Sequence, residues 1–223
     1  MAASARPLFE AAFEAPAETA PSQTLANFAR LHMEAVETAR LANLLGRSLY
    51  AIIAFAALAV LTLAVAGSIA ASSIAWAILT GAGVLAMART WRHAIDLPFE
   101  RPTLQAFSQD LHACLLYAGF VWGAGAFLAL PAATNGIEAL LFVAAPAVTF
   151  AVLLRERQIV LQFVAPAAAL TSLACAVRPF ADGAYSAAIA LGAGAIAAWA
   201  VNALTRSHAK GGAGSLNSSA IAL

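Results

Sequence analysis

From residue 49 onward the chain alternates long apolar runs with short polar connections, and the runs lack the two-residue alternation of barrel strands. A bilayer core is crossed by roughly 17–25 apolar residues in a helix. Six runs meet or closely approach that description: Leu49–Ala71, Ser73–Ala88, Leu111–Leu130, Ile137–Leu154, Gln158–Val177 and Tyr185–Leu204. The second and fourth are short and predict crossings with little tilt. Ahead of them, Arg30, Glu34, Glu37 and Arg40 recur at helical spacing, while Leu25, Phe28, Val36 and Ala39 mark another face. That pattern predicts an amphipathic helix over 22–48, joined to the first span at "GRS", 46–48.

Composition sharpens this picture. The 223 residues are 62% hydrophobic and only 10% charged, against about a quarter charged in soluble domains. The expected fold class is therefore an all-α integral membrane protein, a bundle of six transmembrane helices preceded by a cytoplasmic amphipathic helix. Its parts are a disordered leader (1–21), the amphipathic helix (22–48), the six-helix domain (49–205) and a flexible cytoplasmic tail (206–223). The net charge of +1 points to no nucleic-acid partner. The layout of the first fifty residues is not that of a cleavable signal.

The distribution of charge sets a topology. Arg6, Arg30, Arg40, Arg47, Arg89, Arg92, Arg101, Arg155, Arg157, Arg206 and Lys210 all fall on one side of six crossings, and only Arg178 falls on the other. The positive-inside rule puts the rich side in the cytoplasm. Both termini are then cytoplasmic, and the expected location is the bacterial inner membrane. Between the fourth and fifth runs, "RERQ" at 155–158 reads as a tight cytoplasmic turn, with Arg155 and Arg157 as its headgroup anchor.

Little in the apolar runs resembles catalytic chemistry. No ionisable residue falls mid-span, where coupled transporters place theirs. The richest cluster is the connection holding His93, Asp96, Glu100, Asp110, His112 and Cys114. His93 and Asp96 share a helix face, as do Asp110 and Cys114, but His112 and Cys114 diverge, and no zinc or nucleophile motif accompanies them. This connection reads as a solvated loop. No metal, cofactor or catalytic residue is expected. Cys114 and Cys175 fall near opposite faces, too far apart for a disulfide. "GFVWG" and the "GAG" repeats at 81–83, 123–125 and 192–194 suit close helix packing, with oligomerisation through the same faces as the alternative. Pro146 and Pro166 each remove a backbone bond inside a span and are expected to kink it. With Trp122 and Tyr117 they form the expected wall of a ligand cavity. Trp76 and Tyr185 are placed beside it or at the membrane interface.

The second half also resembles a known pattern. "GFVWGAGAFLALP" is followed by "EALLFVAAPAVTFAVLLRERQIVLQFVAPAAALTSLACAVRPFADG" and a last apolar run. Trp122-Gly123, Leu130-Pro131, the basic turn, Phe163 with Pro166, and Arg178 before an acidic-glycine turn are similar to the MASE-like six-helix sensor regions of bacterial diguanylate cyclases and sensor histidine kinases. The resemblance covers about residues 40–205. It implies a non-enzymatic input module without an output domain, whose signal leaves through a cytoplasmic signalling protein. A small-molecule transporter or channel subunit is the alternative.

Overall fold

The structure of the protein is a computed structural model. It describes the backbone over residues 21–66, 70–131, 134–178 and 184–219, with side chains from 27 onward and, in the last helix, over 185–201 and at 203. Six helices account for these residues, and no strand occurs among them: α1 (Pro21–Ala66), α2 (Ala71–Asp96), α3 (Arg101–Leu128), α4 (Gly136–Leu154), α5 (Arg157–Val177) and α6 (Ala184–Ser219). Helices α1 to α5 are long and apolar enough to cross a membrane, while the apolar stretch of α6, Tyr185–Val201, is shorter. The expected leader lies outside the described residues except for Pro21, which opens α1, and the expected tail lies outside the described side chains.

The chain divides into two units, residues 1–40 and 41–223. Within the first, Arg30 pairs with Glu34 at 3.9 Å, and the Thr38 hydroxyl donates to the Glu34 carbonyl. Phe28, Leu31, Met33 and Val36 are all exposed.

Within the second unit, the first run, expected to reach Ala71, ends with α1 at Ala66, and Ala71 opens α2; three further boundaries differ from the sequence reading, each for a local reason. The expected break at 46–48 is absent. Leu44, Leu45 and Ser48 are buried in the bundle, and the Leu45 carbonyl accepts from both Ser48 Oγ and the Trp91 indole. Gly46 inside a helix costs about 1 kcal/mol, too little to end a segment whose neighbours are packed. The expected loop 89–110 is mostly helix, because α2 continues to Asp96 and α3 begins at Arg101. Only 97–100 is non-helical. Pro98 forces Leu97 into an extended conformation (ψ 157°), and Pro102 occupies the first turn of α3, where its missing N–H leaves no partner wanting. Ala94, Leu104 and Phe107 on these extensions are buried. The expected four-residue turn at 155–158 is a two-residue turn, Arg155-Glu156, since α5 begins at Arg157.

At the centre of the bundle α3 packs against α2, α4 and α5, and α5 against α4 and α6. The α3–α5 seam is a backbone-to-backbone contact. A Cβ on Gly119 would overlap the Phe163 carbonyl oxygen and lie 2.8 Å from Pro166 Cγ, and one on Gly123 would lie 2.7 Å from Leu170 Cβ. Small residues permit that approach, as in membrane helix pairs. The exterior is the inverse of a soluble protein's. Ile53, Val60, Leu61, Ile78, Leu85, Phe120, Leu141, Val152, Leu173, Ile189 and Trp199 are all exposed, with at least one on each helix of the unit. Soluble monomers seldom carry contiguous apolar patches beyond a few hundred Å².

Candidate functional site

The interior of the bundle is built of aromatic rings. Phe55 of α1, Trp76 of α2, Trp122 of α3, Phe142 and Phe150 of α4 and Phe163 of α5 form one connected cluster. Phe55 meets Trp122, Phe150 and Phe163 at centroid distances of 5.1, 5.4 and 5.9 Å. Trp122 in turn meets Trp76 at 5.5 Å and Phe142 at 5.1 Å, and Phe150 meets Phe163 edge-on at 4.9 Å. These separations are those of packed aromatic pairs, each contributing about 0.5–1.5 kcal/mol beyond its buried area. Trp122 and Trp76 are essentially inaccessible.

A buried indole must place its N–H, and here the acceptors are backbone carbonyls of neighbouring helices. Trp122 Nε1 donates to the Phe142 carbonyl at 2.7 Å. That acceptor exists because of Pro146. Residue 146 would ordinarily supply the amide to the carbonyl four positions earlier, and proline has none. The indole of α3 thus takes the place of the missing backbone donor of α4. Trp76 Nε1 donates to the Val121 carbonyl at 2.9 Å. Its approach is possible because Gly125, one turn on, has no side chain: a Cβ there would lie 2.5 Å from Trp76 Nε1. Tyr117 repeats the arrangement towards α2, its hydroxyl donating to Leu79 at 3.2 Å with its ring against Gly83.

The structure therefore brings Trp122 and Pro146 together through one carbonyl, and it packs Pro166 against Gly119 on the opposite side of α3 from Tyr117's partner helix. Trp122, Pro146 and Pro166 are buried. They stand as core residues, and Tyr117, 39% exposed, stands on the α2–α3 seam. Trp76, expected at an interface or cavity, is likewise a core residue, while Tyr185 is exposed. Helices α4 and α5 continue through both prolines. Phe150 and Phe163, one turn from each proline towards the Arg155 turn, fill the level beside them. None of these four candidate residues lines either of two cavities found elsewhere on the unit. One, of about 530 Å³, lies between the first turns of α4 and α6 and is walled by Ile137, Leu140, Ala187 and Ala190. The other, of about 310 Å³, lies under the Arg155-Glu156 turn.

The polar residues at the two ends of the bundle have defined uses. At one end Asn135 and Glu138 form a reciprocal capping box on α4, with bonds of 2.9 and 3.0 Å. Arg178 there reaches across to α3, donating to the carbonyls of Ala126, Phe127 and Leu130 at 2.6, 3.3 and 3.1 Å. A cation on the carbonyl end of a helix satisfies orphan acceptors and opposes the macrodipole. Its position on the sparsely charged side is thus accounted for by the fold. At the other end Arg155 adopts the left-handed conformation (φ 54°) as the C-cap of α4. Arg155 and Arg157 are both exposed.

The cluster from His93 to Cys114 does not converge. Among the described residues no three His, Cys, Asp or Glu side chains come together. His112 Nδ1 lies 2.6 Å from the Ser108 carbonyl, Cys114 Sγ lies 3.8 Å from Thr90 Oγ1, and both cysteines are free thiols. The buried hydroxyls of Thr80 and Thr171 have no hydrogen-bond partner among the described residues. No protein-family model, curated protein or solved structure matches the chain.

Proposed function

We propose that the protein is a non-enzymatic sensor or scaffold module of the bacterial inner membrane, multi-pass with both termini cytoplasmic, which signals through a cytoplasmic partner protein. The observation that carries this reading is the aromatic cluster at the bundle centre. Six rings from five helices occupy the place where a transporter or channel would open a path, and three indole or phenol donors tie neighbouring helices carbonyl by carbonyl. A bundle packed in this way transmits a displacement of one helix to the others through contiguous contacts. The membrane setting is supported by the apolar exterior, and the orientation by the eleven-to-one division of basic residues. The MASE-like resemblance supports the input role.

Two measurements test the reading. A cytoplasmic reporter fused after Arg206 should be active and a periplasmic one silent. The opposite result would remove an odd number of crossings and overturn the topology. Proteoliposomes containing the full chain should take up cations, sugars and amino acids no faster than empty vesicles. Substrate-dependent flux would replace this reading with that of a transporter or channel subunit.

A further inference from the structure

The groove under the Arg155-Glu156 turn combines features that the packing of the bundle does not use. It holds about 310 Å³ and is lined by Ala151 of α4, by Arg155, Glu156 and Arg157, and by Val160 and Leu161 of α5. One wall is apolar and the rim is charged. Among the described residues neither guanidinium makes an ion pair or side-chain hydrogen bond, and the single carboxylate leaves the rim with a net charge of +1. Glu156 is the N-cap of α5 but makes no side-chain capping bond, so the first-turn amides of α5 are left uncapped by it, at the positive end of the helix dipole. The turn itself holds Arg155 in the left-handed conformation, φ 54°, which L-residues rarely adopt and where glycine would be unstrained. Glycine there would relieve the strain and remove one of the two cations.

We infer that this groove is a binding site for an anionic glycerophospholipid: Arg155, Arg157 and the uncapped amides of α5 receive its phosphate, and one acyl chain lies along Ala151, Val160 and Leu161. Arginine is the side chain best suited to phosphate, through its planar fork of donors. A helix N-terminus adds backbone donors of the right polarity. The juxtaposition of an apolar wall and a cationic rim matches a lipid rather than a free phosphate, which would leave the wall unused. Basic recesses between membrane helices on the cytoplasmic side are suited to anionic headgroups. This inference rests on the membrane orientation proposed above, which places the turn at the headgroup level of the cytoplasmic leaflet.

The test uses the full chain, solubilised and delipidated, with its intact mass measured after titration with phosphatidylglycerol or phosphatidylcholine. The wild type should retain phosphatidylglycerol on the order of tenfold more readily, since each surface arginine contributes about fivefold towards an anionic lipid. R155Q/R157Q should reduce the preference to near one at unchanged helical content, because both side chains are exposed and neither makes an ion pair or side-chain hydrogen bond among the described residues. R89Q/R92Q should keep the preference. Equal loss in both double variants would reveal general charge attraction and overturn the site. A preference that survives R155Q/R157Q would do the same. Displacement of the lipid by millimolar inorganic phosphate would overturn the lipid assignment in favour of a free-phosphate site. Should the chain fail to enter lipid nanodiscs at all, the membrane reading fails; entry without any lipid preference defeats only the inference drawn here.

Discussion

Gly119→Ala should destabilise the protein by about 1–3 kcal/mol, the range of overpacked cores, although alanine is the better helix former. The new Cβ would overlap the Phe163 carbonyl oxygen and sit 2.8 Å from Pro166 Cγ. Both opponents are rigid, one a backbone atom and the other a proline ring, so no rotamer change gives relief. The seam between α3 and α5 must widen. Widening also costs the contacts of Gly123 with Ala167 and Leu170 one turn away, so Gly119→Ala/Gly123→Ala should lose more than either change alone. The same substitution at Gly81 or Gly194, where nothing lies within 4 Å, should be neutral or stabilising by up to about 1 kcal/mol. Unfolding equilibria in mixed micelles would measure all four. If Gly119→Ala matched Gly81→Ala, the close seam would not exist.

Those glycines show what a sequence can and cannot disclose. "GAG" occurs three times, and the small-residue pattern signalled close helix packing. Yet Gly125 receives an indole, Gly83 a phenol ring and Gly192 a serine, while Gly81 and Gly194 face open space. Spacing gives the angular position of a residue on its own helix. Which neighbour occupies that angle is a tertiary fact. The apolar runs were legible for the opposite reason: a run of about twenty residues without charge has few alternatives to a helix in an apolar medium. Span ends near proline or within the charged turn fell within a residue or two of the structure, at Leu154 and Val177 for instance. The end of the second span and the start of the third, judged by hydropathy alone, fell short, because Arg89–Asp96 and Arg101–Asp110 are polar on one face and packed on the other, through Ala94, Leu104 and Phe107.

Of the candidate site, Trp122 and Pro146 stand out in the sequence, but their arrangement does not. Trp122 and Pro146 were singled out as an unusual donor-bearing ring and an unusual helix interruption. Their shared acceptor could have been anticipated. A proline inside an apolar span frees the carbonyl four residues earlier, and that carbonyl needs a donor from another helix. The apolar runs offer few such donors, and Trp122 is one. Phe55, Phe150 and Phe163 carried no such signal, being three of twelve phenylalanines in a chain that exposes others freely. Arg178 was read as a topological exception. Its three carbonyl partners, two in the last turn of α3 and one just beyond it, could not be inferred, because they depend on how α5 ends beside α3.

Replacing Trp122 by phenylalanine in the wild type, and again in a Pro146→Ala background, should give unequal losses. In the wild type the substitution removes the donor that, among the described residues, another helix gives to the Phe142 carbonyl, and Pro146 has no amide to replace it. A buried carbonyl left unpaired costs about 1–3 kcal/mol, and the smaller ring adds a cavity term among Phe55, Trp76 and Phe142. Pro146→Ala restores an amide at the correct helical position, so the carbonyl regains a partner when the indole is lost. The cavity term is common to both backgrounds and cancels. The loss should therefore shrink by about 1–2 kcal/mol in the alanine background, the size of interhelical hydrogen bonds in model membrane helices. Trp76→Phe supplies the control. Its acceptor, Val121, lies four residues before Gly125, which has an amide, so its loss should not change with residue 146. Unfolding equilibria of the four-member cycle give the coupling directly. A cycle that closes with no coupling would mean that the 2.7 Å bond and the proline share a carbonyl without acting on one another, and the account of Trp122 as the donor that Pro146 removes from α4 would have to be abandoned.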